Sequence, residues 1–133
     1  MAVFDFSKDY ILEDHIVRLR PLQIEDVSNL LQIANESGIW EYSFAKGNGV
    51  ENLTKYIQET IQNRENKKEY PFIVIDKRTN EFAGCTRLSD INLDLQATRL
   101  GYTWYGEKFQ GTGLNKHCKY LLFEFAFNQM EME

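Results

Sequence analysis

Apolar positions along the chain change period several times, and each period predicts an element. HIVRLR, residues 15–20, alternates like a strand and stops at Pro21. Glu25 and Asp26 then stand where the positive end of a helix favours acid. Val27, Leu30, Leu31 and Ala34 recur at three-and-four spacing, which predicts a first helix ending near Gly38. GIWEYSFAKGNG, residues 38–49, mixes aromatics with glycines and reads as an ordered loop with a packing or binding role. Val50, Leu53, Ile57 and Ile61 predict a second helix, broken by the charged run from Arg64 to Glu69. YPFIVID, residues 70–76, is apolar almost without interruption, as in a strand covered on both faces; 77–80 is a turn, and EFAGCTRLSDIN, 81–92, is its hairpin partner. A further strand runs from Leu95 to Trp104, with Gly101 as a candidate bulge. Last, Leu114, Cys118, Leu121, Leu122 and Phe125 form one helical face. Tyr120, Phe123 and Phe127 widen it, so the helix is expected to be covered on most sides. The element order predicts a mixed α/β layer structure around an antiparallel meander.

Composition narrows the class. A chain of 133 residues, 43% hydrophobic and 14% aromatic, suits one domain over 1–133 with a sizeable core. The net charge of -5, with no Lys/Arg block, argues against a nucleic-acid partner and leans toward a cationic or amine-bearing substrate. Cys85 and Cys118, the only cysteines, are too far apart for a disulfide framework or zinc site and are expected as buried thiols. MAVFDFSKDYILEDH has neither a basic n-region nor an apolar h-region, and no run reaches transmembrane length, so the cytoplasm is the expected location and no membrane partner is expected. Without a secretory signal, the glycosylation matches at Asn35 and Asn52 read as chance.

The segment from Trp104 to Phe127, WYGEKFQGTGLNKHCKYLLFEFAF, carries the chemistry. Gly111 and Gly113 stand between a strand and a helix. A helix start offers unpaired N–H groups and the positive end of the dipole, and glycines there let a phosphate approach the main chain. The bland alternative is a tight connection with Thr112 as N-cap. Both readings stay open on physical grounds. A P-loop is excluded, because Thr112-Gly113 stands where Lys and Ser/Thr should follow Gly106 and Gly111. A dinucleotide fingerprint fails at Lys116, which occupies the third glycine position, and the preceding strands read as a meander.

Gln110-Gly111-Thr112-Gly113-Leu114-Asn115 resembles the acetyl-CoA signature Q/R-x-x-G-x-G/A of the GNAT acyltransferases, with Asn115 in place of the final Gly/Ala. VRLRPLQIEDVSNLLQIA, GIWEY, EFAGCTRL and the segment LGYTWYGEKFQGTGLNKHCKYLLFEFAF resemble the RimJ/RimL-like, ribosomal-protein N-acetyltransferase branch, over roughly residues 15 to 127. The resemblance implies an acyl-CoA N-acyltransferase fold, a mostly antiparallel sheet flanked by helices. It implies that acetyl-CoA lays its pyrophosphate on main-chain N–H groups of Gly111, Thr112, Gly113, Leu114 and Asn115, with Gln110 and Lys116 at the edge and pantetheine along Tyr102, Thr103 and Trp104. The main-chain N–H of Trp104 or a neighbour is then the oxyanion donor. The acceptor is a primary amine, expected to be a protein N-terminus with a small amine as the alternative. Its pKa of about 8 asks only a modest base, for which Glu41 is the first candidate and Asp90 the second. Trp40, Tyr42 and Phe44 either line the acceptor site or pin their loop to the core. His15 and His117 read as structural, and His117 beside Cys118 does not make a nucleophilic pair because neighbouring helix residues diverge.

The resemblance further implies a strand, a helix and a hairpin after residue 128. The chain is accordingly expected to be a C-terminally truncated fragment, its last helix lacking a neighbour and strand 95–104 left as an open edge, which favours association between copies. A non-catalytic CoA-binding module is the competing class.

Overall fold

The computed structural model describes residues 4–35, 49–92 and 97–128. Five strands, β1 (Leu12–Glu13), β2 (Val17–Pro21), β3 (Tyr70–Asp76), β4 (Glu81–Asn92) and β5 (Ala97–Tyr105), form one sheet in chain order, every neighbouring pair antiparallel. The helices are α1 (Asp26–Ala34), α2 (Val50–Glu65) and α3 (Leu114–Asn128), with a 3-10 turn at Glu107–Phe109. The mixed architecture and its meander match expectation.

The differences have local causes. The strand expected over residues 15–20 is β2 and begins at Val17, because Asp14 folds the chain before it: its Oδ1 accepts the N–H groups of Ile16 (2.7 Å) and Val17 (2.9 Å). That turn also creates β1, a strand too short to show a period. Pro21 ends β2 opposite Phe72, beyond the reach of β1, so its missing N–H costs no ladder bond on the β1 side. Asp26 does more than face the α1 dipole. It is buried and takes Arg20 in a two-pronged pair (2.7 and 3.0 Å) while accepting the Gln23 N–H.

β3 is buried on both faces except at Ile75, as its unbroken apolar run predicts. Trp104 hydrogen-bonds to Tyr56 of α2 and Tyr105 to Asn115 of α3, so consecutive β5 side chains place α2 and α3 on opposite faces. Residues 4–10, for which the hydrophobic pattern predicts no element, pack Phe4, Phe6 and Tyr10 into the core; Tyr10 meets Phe125 of α3 at 4.9 Å between ring centroids. The expectation that α3 is covered on most sides is corrected. Leu114, Cys118, Leu122 and Phe125 are buried, whereas Tyr120, Phe123 and Phe127 remain 65%, 62% and 68% exposed.

Three irregularities shape β4 and β5. β4 carries an extra residue between its partners of Val74 and Ile75, and another at Asp90, whose φ is 50°. The third lies on β5, where Cys85 pairs with Trp104 but Arg87 pairs with Gly101, so β5 takes three steps while β4 takes two. The bulge expected at Gly101 therefore falls on the residues that follow it. Opposite its far end, a Cβ on Gly84 would stand 2.0 Å from the Trp104 carbonyl oxygen, so only glycine lets the two strands meet there.

Candidate functional site

The connection from β5 to α3 is built from short local bonds. Gly106 donates its N–H to Ala83 O (2.8 Å), and Phe109 donates to Gly106 O (3.0 Å), closing the 3-10 turn. Phe109 is buried beneath it. The Thr112 hydroxyl donates to Phe109 O (2.6 Å), so it does not cap α3, and the N-cap reading of Thr112 is corrected. Gly111 and Gly113 have φ of 75° and 86°, the left-handed region that glycine enters without strain. Nothing lies within 4 Å of where their side chains would begin, so these turns open toward free space.

This geometry leaves the start of α3 unpaired. The first main-chain bond into the helix is from His117 N–H to Gly113 O, at 3.3 Å, and among the described residues no acceptor meets the N–H groups of residues 111–116. The exposed Lys116 and Lys119 stand on the first turns. Donors, dipole and two ammonium groups thus converge on one end of a molecule that is acidic as a whole. A cleft of about 750 Å³ runs from Thr103, Trp104 and Tyr105 along the turn to Gln110, Gly111, Gly113, Asn115, Lys116 and Lys119. Its size falls within the range of small-molecule sites.

The expected site residues divide by what they expose. Gln110 ties the turn to the strand end through its Nε2 and Tyr105 O (3.2 Å). Leu114 is fully buried, and neither it nor Thr112 is among the residues that line the cleft. Asn115 Oδ1 accepts the Tyr105 hydroxyl (3.0 Å), which turns the amide NH2 of Asn115 outward as a donor. Burial pushes the Tyr105 hydroxyl well above its ordinary pKa, so it keeps the proton it donates. Trp104 is buried with its indole against α2, so it too presents main chain to the cleft. Thr103 is exposed and shares a 2.6 Å bond with Thr86, while Tyr102 lies on β5 and is not among the residues that line the cleft.

Other candidates fall elsewhere. Trp40, Glu41, Tyr42 and Phe44 lie outside the described residues. Asp90 is exposed at its own bulge, three residues along β4 from the partner of Gly101. His117 Nδ1 sits 2.7 Å from Asp14 Oδ2 and its ring stands edge-on to His15, joining α3 to the β1–β2 turn, which is the structural role expected of both histidines. Cys85 and Cys118 are buried free thiols, and burial lifts them to about 12 and about 11, so neither supplies a thiolate near neutrality. Among the described residues no group of His, Cys, Asp and Glu is arranged for a metal, and no helix is long and apolar enough to cross a membrane. The sequence reading missed Lys119, visible as the i+3 partner of Lys116, and Tyr56, which carries no motif signal.

Comparison with known proteins bears on the fold that carries this cleft. No curated protein matches the chain. Among solved structures, a GCN5-related N-acetyltransferase from Brucella melitensis superposes with a TM-score of 0.83 at 16% identity, over 99% of this chain and 61% of that one. An acetyl transferase from Salmonella typhimurium that modifies the N-terminal serine of a 50S ribosomal subunit protein gives 0.75 at 22%, over 88% and 68%. The microcin C7 self-immunity acetyltransferase in complex with acetyl-CoA and AMP gives 0.73 at 18%, over 86% and 64%. The chain therefore spans about two thirds of the length of these relatives, and at these identities they report its fold. A family model for the acetyltransferase (GNAT) domain matches residues 17–133, and the chain belongs to that family.

Proposed function

We propose that the chain binds acetyl-CoA at the start of α3 and belongs to an enzyme that moves the acetyl group to a primary amine, with a protein N-terminal amine as the acceptor. The observation that carries this reading is the row of unpaired N–H groups at 111–116 opening on a cleft edged by Lys116 and Lys119. Two left-handed glycines and an outward Asn115 amide fit a pyrophosphate, which asks for many donors and no nearby side chains. When bound, acetyl-CoA supplies the thioester whose acyl carbon the amine attacks.

The chain's own groups have limited tasks in this proposal. Gly111 to Lys116 grip the diphosphate, β5 residues Tyr102 to Trp104 align the pantetheine by main-chain bonds, and a main-chain N–H at the bulge faces the thioester oxygen. Glu41 takes the proton of the amine, and Glu41→Gln tests it through a kcat about 100-fold lower with acetyl-CoA affinity unchanged. The ribosomal-protein-modifying relative supports a protein N-terminus over a small amine, and a cytoplasmic setting belongs to the same proposal. β5 is the outer strand of the described sheet and α3 leaves three aromatics in solvent, which supports association between copies. The direct test is release of CoA thiol from acetyl-CoA with peptides bearing free N-termini and with small amines. Turnover with the peptides is expected. Acetyl-CoA binding without turnover on any amine would instead favour the non-catalytic module, and a lack of binding would end the donor-site reading.

A further inference from the structure

A buried polar cluster stands behind the β5 bulge and is not used by the donor site. Arg87, on β4, faces the bulge through its pairing with Gly101 and is 8% exposed. Its guanidinium donates to Thr60 Oγ1 (3.1 Å), to both oxygens of Glu69 (3.1 and 3.2 Å) and to the Tyr56 hydroxyl (3.0 Å). The same hydroxyl accepts the indole N–H of Trp104 (3.3 Å). Asn63 completes the cluster by donating to Glu69. A charge on one strand thus reaches, through a tyrosine on α2, the side chain that ends the bulge on the next strand.

Such a pair is a poor way to gain stability, since an apolar replacement of equal volume often does as well. What it does provide is fixed geometry. Trp104 is held at both ends: its main chain rests on Gly84, where no Cβ fits, and its indole N–H donates to Tyr56. Burial lifts Tyr56 to about 12, so its hydroxyl stays neutral across the working range and the link does not titrate.

We propose that Tyr56 and Arg87 are positioning residues for acyl transfer, holding Trp104 so that the main chain of the bulge, residues 102–104, keeps the orientation the thioester oxygen requires. The proposal rests on the donor-site reading above and adds to it the device that preorganises the oxyanion donor. A donor displaced by an ångström costs rate without costing affinity for the distant diphosphate.

The test is Tyr56→Phe, which removes one oxygen, read by amide hydrogen exchange and by kinetics. Exchange at 102–104 is expected to quicken about tenfold or more while β3 amides hold, with kcat down about tenfold and KM for acetyl-CoA unchanged within about twofold. In a Trp104→Phe background, where the indole N–H is already gone, Tyr56→Phe should change kcat no further. Unchanged exchange at 102–104, acceleration spread evenly over the sheet, or independent losses in the double variant would each overturn the proposal. A CoA titration separates the two readings. If CoA leaves the resonances of Gly111 to Lys116 unmoved, the donor site falls and the catalytic role falls with it, whereas a CoA response together with unchanged exchange at 102–104 removes only the brace.

Discussion

Single residues fix the backbone at several points of this chain. Gly84→Ala places a methyl where the Trp104 carbonyl stands, and β4 and β5 must separate to admit it. A loss of about 1–3 kcal/mol, seen as a lower denaturation midpoint with an unchanged slope, is expected. Gly113 works by conformation rather than by space. A Cβ there meets nothing within 4 Å, but a valine must adopt φ near 86°, so Gly113→Val should cost about 1–2 kcal/mol in stability and turn the helix start away from the proposed diphosphate. Acetyl-CoA affinity, by calorimetry, should fall about tenfold or more; an unchanged value would remove Gly113 from the site. Asp14 gives a pH dependence whose sign follows from its bonds. Burial alone would raise its carboxyl, but His117 and the Ile16 and Val17 N–H groups outweigh this and hold it below the ordinary value. A depressed folded-state value means stability present above the usual carboxylate range, about pH 4, and lost as pH falls through the lower folded value. Asp14→Asn should flatten the melting temperature across that acid window, as thermal unfolding followed from about pH 2 to pH 5 would show.

Elements inherit these constraints. The α3 start and the β5 end form one unit, because Gln110 returns to Tyr105 O and the Tyr105 hydroxyl reaches Asn115, so the donor row and the bulged strand keep a fixed separation. β4 is the partner that imposes irregularity: it carries two extra residues, and the third mismatch places one on β5. These offsets re-aim side chains that strict alternation would send elsewhere. Helix α1 is fixed at its first residue by the half-buried Arg20 and the buried Asp26, and Arg20→Met leaves that carboxylate with only the Gln23 N–H and the Asn29 amide. A loss of about 1–2 kcal/mol is expected in urea unfolding, since two hydrogen bonds to a buried carboxylate are removed while two donors stay.

The whole molecule has one well-covered body and one unpartnered side. The N-terminal aromatics, β3 and the inner face of α3 close the core, while Tyr120, Phe123 and Phe127 project from α3 and β5 carries a single sheet neighbour among the described residues. Exposed aromatics and an unpaired strand edge favour contact between copies. Sedimentation velocity over a range of concentrations should show association that Phe123→Glu with Phe127→Glu suppresses; a monomer at every concentration would count against it.

The sequence by itself determined the periods and therefore the parts. β3, β4 and their turn were legible to the residue, because a doubly covered strand is apolar throughout and its hairpin turn is polar. α2 and α3 followed from repeating faces, and the glycine turn from two residues whose backbone freedom marks a special conformation. What only the tertiary structure decided lies in meetings between distant residues. The Asp14 turn, the packing of Phe4 and Tyr10 on Phe125, the exposure of half of α3 and the Arg87–Tyr56–Trp104 chain all join positions with no shared period. Local spacing records which face a residue occupies; which partner waits on that face is set by how the layers stack.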